Sequence, residues 1–277
     1  MTQNVYTDLR NESYAHTMGL MPCEFVDLVL TSPPYDSLRD YGGDSDFDID
    51  QIILLLWKVL KPGGVIVWVV NDATVNGSET GTSFRQALKF IDAGFKLHDT
   101  MVYLKDNPPP TGGTNRYFAA FEYMFVFSKG TPKTFNPITE PRRNKWNDKR
   151  TTRFRPVVRN KAGDFTASTV KINDGLVKLQ NVWSYTVGGG SMTDWMEAHK
   201  HPAIFPEALA RDHINSWSNI GDTVYDPMTG SGTVACVSME LGRNFYGSEI
   251  NTDYYLLAQS RIDAKRCQLE NAPLTLL

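Results

Sequence analysis

The chain has 277 residues, of which 41% are apolar and 21% charged, with 28 basic and 31 acidic side chains. This length is typical of one large domain or of one domain with a sizeable insertion. The net charge of −3 argues against a uniformly basic nucleic-acid coat and against a polybasic membrane binder. Because the apolar runs are too short to span a bilayer and no targeting signal precedes them, we expect a cytoplasmic protein without a membrane partner.

The cysteines do not form a recognisable motif. Cys23, Cys236 and Cys267 lie far apart, with no CxxC pair. The sequence therefore indicates neither a disulfide framework nor a thiolate metal site, and we expect no metal. Cys23 stands just before an apolar run, and we expect it to be a core residue.

The first half of the chain alternates between strand and helix patterns. Residues 25–30 predict a short buried strand, and residues 49–60 predict a helix that Lys61-Pro62-Gly63-Gly64 stops. The β-branched run at 65–70 is typical of a parallel strand covered on both faces. A helix over 82–91 and strands over 95–104 and 118–127 are predicted next.

The whole-chain charge hides a basic segment. Residues 131–178 hold 12 basic and 4 acidic side chains, a net charge of +8, which leaves −11 on the remainder of the chain. Such asymmetry is typical of a module that faces a polyanion. A solvated, partly disordered insertion is the alternative, although Trp146 and Phe154 argue against full disorder.

After this segment the alternating pattern resumes. The predicted elements are a helix over 206–217, a strand over 223–225, a glycine turn at 230–232, a helix to about 241, a strand over 244–248 and a helix over 252–267. The order predicts an α/β fold with a doubly wound, mostly parallel sheet. Ligands bind beyond the carboxyl ends of such strands, so the loops at 31–35 and 226–233 are predicted to share one crevice.

The loop at 226–233 reads Asp-Pro-Met-Thr-Gly-Ser-Gly-Thr, and Glu249 stands 19 positions after Gly230. That spacing is close to the spacing of the acidic residue that holds ribose hydroxyls in nucleotide sites. The third glycine of the dinucleotide fingerprint is absent and Asp226 would repel phosphate, so a cofactor with an ammonium or sulfonium charge fits better. A plain strand-to-helix turn gives the same pattern and stays an alternative.

The loop at 31–35 reads Thr-Ser-Pro-Pro-Tyr. The two prolines fix two φ angles and make Ser32 extended, so a hydroxyl and carbonyls are held rigidly at the strand tip. Tyr35 offers a flat ring beside them. This combination suits a site that holds the edge of a planar base and stacks on its face, whereas a proline turn with a core tyrosine is the alternative.

Together the two loops resemble the motifs of the DNA amino-methyltransferases, which move a methyl group from S-adenosylmethionine to an exocyclic base nitrogen. Their order, with the catalytic motif first, is similar to the β-class permutation of that family. Further similar stretches are residues 60–64, 122–130 and 201–209, together with Trp183. The resemblance implies a permuted methyltransferase domain over 1–130 and 181–277, with a target-recognition insertion at 131–180.

The resemblance also implies roles for individual residues. The implied catalytic residues are Ser32, Pro33, Pro34 and Tyr35. The implied cofactor contacts are Asp8, Thr31, Ser32, Phe205, Asp226, Pro227, Met228, Gly230, Ser231, Gly232, Thr233, Glu249 and Ile250. The DNA contacts expected from position and charge are Arg39, Arg142, Arg143, Arg150, Arg153 and Arg155.

The implied reaction is direct methyl transfer to an amine of a flipped base, without a metal or a covalent intermediate. Serine instead of aspartate at position 32 resembles the cytosine-N4 branch of the family, and the adenine-N6 branch is the alternative. The five-methylcytosine branch needs a nucleophilic cysteine after a proline, but Pro22-Cys23 precedes the strand.

The expected partner is DNA, and the resemblance leaves a homodimer and a cognate restriction endonuclease open. It implies a cytoplasmic enzyme of bacterial, archaeal or phage origin. Two further readings stay open: a DNA-binding protein on a degenerate methyltransferase scaffold, and a methyltransferase that acts on RNA or protein.

Overall fold

The computed structural model describes residues 5–34, 47–108, 115–141, 157–159, 164–167, 176–188, 192–195, 197–198 and 204–271. Some of the predicted site residues lie outside these ranges: Tyr35, Arg39, Arg142, Arg143, Arg150, Arg153 and Arg155. The chain divides into two compact units, one formed by Met1–Asn136 and Asn181–Leu277 and the other by Pro137–Gln180.

The larger unit is built from alternating helices and strands. Its helices are α1 (Tyr14–Leu20), α2 (Ile49–Val59), α3 (Thr82–Asp92), α4 (Glu207–Trp217), α5 (Thr233–Glu240) and α6 (Thr252–Glu270). Its strands are β1 (Thr7–Arg10), β2 (Val26–Thr31), β3 (Leu60–Val70), β4 (Thr74–Val75), β5 (Ser78–Glu79), β6 (Lys96–Lys105), β7 (Phe121–Ser128), β12 (Val182–Tyr185), β13 (Thr223–Asp226) and β14 (Asn244–Ser248).

The smaller unit contains two antiparallel strand pairs within its described residues. Strand β8 (Thr139–Pro141) pairs with β11 (Leu176–Lys178), and β9 (Val157–Arg159) pairs with β10 (Phe165–Ala167). The target-recognition role that the sequence predicts for this part of the chain stays a prediction.

One eight-stranded sheet organises the larger unit, in the order β1-β14-β13-β2-β3-β7-β6-β12. Every neighbouring pair is parallel except the two pairs that β7 forms with β3 and β6. Strand β7 alone therefore runs against the others. The prediction of a doubly wound α/β fold with a mostly parallel sheet is confirmed.

Both faces of the sheet are covered, because neighbouring residues of its central strands are all buried. In β2, Val29 packs with residues of α2 and α3 such as Ile52 and Phe90. Leu28 and Leu30 point to the opposite face and are fully buried as well. Helices α1 to α3 pack together in one group and α4 to α6 in another. The continuous apolar runs of the central strands follow from this double cover.

Strand β3 begins earlier than the sequence predicts. Asp48 is the N-cap of α2, since its side chain accepts hydrogen bonds from the backbone N–H groups of Asp50 and Gln51, and the helix ends at Val59. Leu60 then pairs with Val26 at once, and the register shifts before Leu28 pairs with Val65. The Pro-Gly-Gly stretch therefore lies in an irregular part of the strand and not in a separate loop.

Three elements of the sheet and its cover are missing from the predicted pattern: β1, α1 and β12. The expectation that Cys23 is a core residue is wrong. Cys23 is exposed in the turn before β2, because the buried run starts only at Val26. Within the described part of the chain, no helix is both long and apolar enough to cross a membrane.

Candidate active site

The two predicted loops meet at one edge of the sheet. Strands β2 and β13 are parallel neighbours, with Leu28 opposite Val224. Their carboxyl ends therefore lie side by side, and the hydroxyl Oγ1 of Thr31 donates a hydrogen bond of 2.7 Å to Oδ1 of Asp226. Both residues are buried. The structure thus places the two loops together, in agreement with the prediction that they share one crevice at the carboxyl ends of the strands.

The loop from Asp226 to Thr233, called the glycine turn below, is held by its own hydrogen bonds. The backbone N–H of Met228 donates to Oδ1 of Asp226 at 3.1 Å, and Oγ1 of Thr229 donates to the Asp226 carbonyl at 3.2 Å. Gly232 caps α5 with a φ of 81°, a left-handed conformation that favours glycine. A Cβ at this position would lie 3.1 Å from Cβ of Ala258 on α6. Glycine is therefore required by conformation and by space.

Glu249 connects the glycine turn to the next strand of the sheet. Its carboxylate accepts from the Gly230 N–H at 2.8 Å through Oε2 and from the Asn251 N–H at 2.9 Å through Oε1. The side chain is buried at the carboxyl end of β14. The backbone N–H of Ile250 also donates to this carboxylate, which has about four acceptor sites in all, so the group can still accept a hydrogen bond from a ligand.

Burial perturbs the two carboxyl groups of the site. It raises the pKa of Asp226 to about 7, and the negative charge of Glu249 acts in the same direction, while the bonds from Thr31 and Met228 oppose the shift. Burial also raises the pKa of Glu249, against hydrogen bonds from backbone N–H groups. An uncompensated negative charge is therefore costly here, and a cationic ligand would stabilise it.

The other predicted contacts occupy varied positions around the turn. Pro227, Ser231 and Thr233 are buried, Met228 is half-buried, and Ile250 is 64% exposed. Phe205 is half-buried and immediately precedes Pro206, the N-cap of α4. In the other loop, Pro33 is buried and Ser32 and Pro34 are half-buried.

Asp8 has a partner of its own. It lies on the edge strand β1, and its Oδ2 accepts a hydrogen bond of 3.1 Å from Nε of Arg10. Asp8 and Glu12 together raise the pKa of Arg10. The guanidinium of Arg10 thus balances the negative charge of Asp8, and the cofactor contact expected of Asp8 stays a prediction.

Sequence reasoning missed Arg261, a buried arginine of α6. It contacts the glycine turn at Ser231 and Thr233. Arg261 lies three residues after Ala258, so the two share one face of α6, but the sequence does not show that this face packs against the glycine turn. A lone arginine in a polar-looking helix gives no indication of burial, so the contact follows only from the three-dimensional structure.

Lys105 and Glu122 form a second feature at this edge of the sheet. Strand β6 ends and β7 begins here, and Nζ of Lys105 lies 2.7 Å from Oε1 of Glu122. The side chains are only 16% and 11% exposed. Among the described residues, no cluster of histidine, cysteine or carboxylate side chains could hold a metal ion.

The comparisons with known proteins agree with this arrangement. A family model described as DNA methylase, of the N6/N4 methyltransferase type, matches residues 26–260. The orphan methyltransferase M.BamHII of Bacillus amyloliquefaciens is 47% identical over 240 residues, covering 86% of this chain and 88% of that protein. The type II methyltransferase M.SmaI of Serratia marcescens is 26% identical, covering 88% of this chain and 86% of the relative.

Solved structures share the fold. The cytosine-N4-specific PvuII DNA methyltransferase superposes with a TM-score of 0.66 at 18% identity, covering 96% of this chain and 93% of that one. The M1.HpyAVI–SAM complex superposes with a TM-score of 0.57 at 20% identity, covering 92% and 99%.

The chain therefore belongs to the DNA methylase family of N6/N4 methyltransferases. The resemblance seen in the two sequence motifs is confirmed. Membership defines the class of enzyme, a DNA methyltransferase.

Proposed function

We propose that the protein transfers the methyl group of S-adenosyl-L-methionine to the N4 amine of cytosine in DNA. The observation that carries the proposal is the hydrogen bond of 2.7 Å from Thr31 to Asp226. It supports a single site in which the Ser32-Pro33-Pro34 segment adjoins the glycine turn. Methyl transfer needs this proximity, because donor and acceptor have to be held together in a reactive geometry.

The glycine turn and Glu249 are the proposed cofactor-binding elements. Their fit to S-adenosyl-L-methionine rests on charge. Asp226 and Glu249 are buried carboxyl groups with raised pKa values, and a cation would stabilise their ionised forms. Glu249 also has acceptor capacity for ribose hydroxyls. The glycines put no side chain between the backbone and a ligand. The remaining proposed contacts are Asp8, Thr31, Ser32, Phe205, Pro227, Met228, Ser231, Thr233 and Ile250.

Ser32 and Pro33 are proposed to prepare the nucleophile. The lone pair of an exocyclic amine is delocalised into the ring of the base, so the amine is a poor nucleophile. Hydrogen bonds from the amine to Oγ of Ser32 and to the Pro33 carbonyl would localise that pair and aim it. The cofactor supplies a methyl group on a cationic sulfur. The N–CH3 bond would form as the S–CH3 bond breaks, which leaves a neutral thioether, and the methylated amine would then release one proton to solvent.

The preference for cytosine rests on the identity of residue 32. Serine stands where aspartate would favour the adenine-N6 branch, and a neutral hydroxyl accepts a hydrogen bond without placing a full charge against the base. The fold shared with a cytosine-N4-specific methyltransferase supports the same choice. Tyr35 is proposed to stack on the flipped base.

DNA binding is assigned to the basic segment. Its net charge of +8 over residues 131–178 matches a phosphate backbone, and the acidic remainder suits a cationic cofactor. Arg142, Arg143, Arg150, Arg153 and Arg155, with Arg39 beside the catalytic loop, are the proposed DNA contacts. The orphan and type II relatives support a role in DNA modification, with or without a cognate endonuclease.

The deciding experiment is a nucleoside analysis. The protein is incubated with methyl-labelled S-adenosyl-L-methionine and mixed-sequence duplex DNA, the DNA is digested, and the labelled nucleoside is identified by mass. N4-methyldeoxycytidine is the expected product. N6-methyldeoxyadenosine would overturn the choice of base, and absence of any methylated nucleoside in a protein that binds DNA would favour a non-catalytic scaffold.

Mixed-sequence duplexes that carry N4-methylcytosine in place of cytosine, or N6-methyladenine in place of adenine, provide matched substrates for this assay. Label should be incorporated into the N6-methyladenine duplex and not into the N4-methylcytosine duplex. RNA of the same sequence serves as the control for the nucleic-acid class, and we expect no label in it.

A further inference from the structure

We infer that Arg261 is a positioning residue that fixes the glycine turn to the start of α4 and thereby sets the affinity for the cofactor. The inference rests on the proposed function, because it concerns the same cofactor site. It is carried by one buried side chain that bonds to two segments far apart in the sequence.

The first side of the guanidinium faces the glycine turn. Nη1 donates to the Ser231 carbonyl and to Oγ1 of Thr233, at 3.0 Å in each case, and lies 3.5 Å from Oγ of Ser231. Ser231 and Thr233 flank Gly232, the left-handed cap of α5. Arg261 therefore holds the turn on both sides of its most constrained residue.

The second side faces the start of α4. Nη2 donates to Oε1 of Glu207 at 2.6 Å and to Oγ1 of Thr193 at 3.0 Å. Thr193 itself donates to Glu207 at 2.5 Å, and the Glu207 N–H donates to the Met192 carbonyl at 3.0 Å. Glu207 follows Phe205 and Pro206, so this end of the bridge fixes the segment that carries Phe205, a proposed cofactor contact.

The burial of Arg261 makes the bridge obligatory. Its side chain is 3% exposed, and a buried cation without partners is strongly unfavourable. Glu207 balances the charge, while the planar fork of the guanidinium directs separate N–H groups to the two segments. A lysine has one ammonium at the end of a flexible stem and cannot serve both segments at once.

Helix α6 supports the glycine turn sterically as well. A Cβ added to Gly232 would lie 3.1 Å from Cβ of Ala258, which is three residues before Arg261 in α6. The two residues share one face of α6. The turn is thus packed against the alanine and tied by the arginine, and its backbone groups are held in place before a ligand binds.

Arg243 offers a matched control at the other end of the same elements. This arginine is also buried, at 6% exposure, and precedes β14. Its Nε donates to Oγ of Ser218 at 3.1 Å, Nη2 to the Ser218 carbonyl at 2.8 Å and Nη1 to the Leu241 carbonyl at 2.6 Å. Arg243 secures the end of α4, whereas Arg261 secures the start of that helix. Arg243 lies at the amino edge of the sheet.

The test compares Arg261→Met, Arg261→Lys and Arg243→Met in the full-length protein. Binding of S-adenosyl-L-methionine is measured by titration calorimetry and the melting temperature by circular dichroism. Both methionine variants are expected to melt below the wild type. Arg261→Met should raise Kd about tenfold or more, whereas Arg243→Met should leave it within about twofold of the wild type.

Arg261→Lys keeps the charge beside Glu207 and is expected to fold even where the methionine variant does not. It should recover much of the melting temperature while Kd stays raised by about fivefold. An unchanged Kd in Arg261→Lys, or an equal rise in Kd for Arg243→Met, would overturn the inference. A wild-type protein that binds no S-adenosyl-L-methionine would instead refute the proposed function.

Discussion

Thr31 and Asp226 are 195 positions apart in the chain, and the threonine hydroxyl donates a hydrogen bond of 2.7 Å to the aspartate. The bond joins the ends of two neighbouring strands and involves the most strongly perturbed carboxyl group of the site. Burial raises the pKa of Asp226 to about 7, so this residue changes charge near neutral pH.

Cofactor affinity is therefore expected to depend on pH. Below about pH 7 Asp226 becomes protonated and loses the charge that would stabilise a cationic ligand, so Kd for S-adenosyl-L-methionine should be higher at about pH 6 than at about pH 8. Titration calorimetry at both pH values, in buffers of different ionisation enthalpy, measures Kd and the protons released. Asp226→Asn should bind more weakly and show a flatter dependence. Equal wild-type affinities at the two pH values would contradict the assignment.

The same pKa shift predicts that the contribution of Asp226 to the stability of the folded protein declines as the pH rises. The pKa of Asp226 is higher in the folded state than its ordinary value of 3.8, so the folded state holds the proton more tightly. The free energy of unfolding that this group contributes is therefore greatest below pH 3.8 and declines as the pH rises to about 7.

Asp226→Asn is accordingly expected to raise the melting temperature of the ligand-free protein at about pH 8, and to raise it less at about pH 5. The neutral amide can still accept the hydrogen bond from Thr31. Thermal unfolding at the two pH values tests this. A variant that is less stable than the wild type at both would show that the carboxylate is favourably compensated in the fold.

The site could be predicted from the sequence because each loop follows a buried strand. The strand before Ser32 and the strand before Pro227 are short and largely buried, and the carboxyl ends of parallel strands share one edge of a sheet. The pairing of β2 with β13 did not have to be known in advance. The alternation of strands and helices predicts the shared edge of the sheet, and the roles of the individual residues come from the resemblance of the two motifs.

Other parts could not be predicted, for identifiable reasons. Strand β1 reads Thr-Asp-Leu-Arg and lies at an edge of the sheet, so it carries little of the apolar signal of a central strand. Strand β12 at the opposite edge is four residues long. Arg261 takes its partners from distant segments and Glu122 takes its partner from the neighbouring strand, and no local pattern marks such pairs.

Ser32→Ala is expected to lower kcat by about a hundredfold, the effect of removing one group that stabilises the transition state. Because Ser32 is proposed to bind mainly the base amine, Kd for S-adenosyl-L-methionine should change little. Single-turnover methylation and cofactor titration separate the two quantities. Ser78→Ala, in the exposed β4–β5 hairpin, is the control. A large rise in the cofactor Kd with unchanged kcat would reassign Ser32 to the cofactor site.

Gly232→Ala tests the close packing of the glycine turn. Its left-handed φ of 81° costs an alanine about 1–2 kcal/mol, and the contact of 3.1 Å with Ala258 adds a steric cost. Gly130→Ala is the matched control, since Gly130 has a φ of 86° and, among the described residues, no atom lies within 4 Å of the added Cβ. We expect Gly232→Ala to lose more stability and also to weaken cofactor binding. Equal losses in the two variants would show that only backbone strain matters.

Lys105 and Glu122 are expected to be energetically coupled. Their ion pair of 2.7 Å is largely buried, so removing one partner takes the opposite charge away from the other and should cost about 3 kcal/mol. The double variant Lys105→Met with Glu122→Leu leaves neither charge and should be more stable than the sum of the single losses predicts.

A double-mutant cycle measured by chemical unfolding gives this coupling, expected at about 1–3 kcal/mol. The exposed pair Lys89–Asp50, at 2.6 Å, is the control and should give about 0.5 kcal/mol or less, because solvent screens it. If Glu122 acts only through this pair, Glu122→Gln should lower stability and leave kcat within about threefold of the wild type. A kcat loss of about a hundredfold in a stably folded Glu122→Gln protein would instead place the carboxylate in contact with the reacting base.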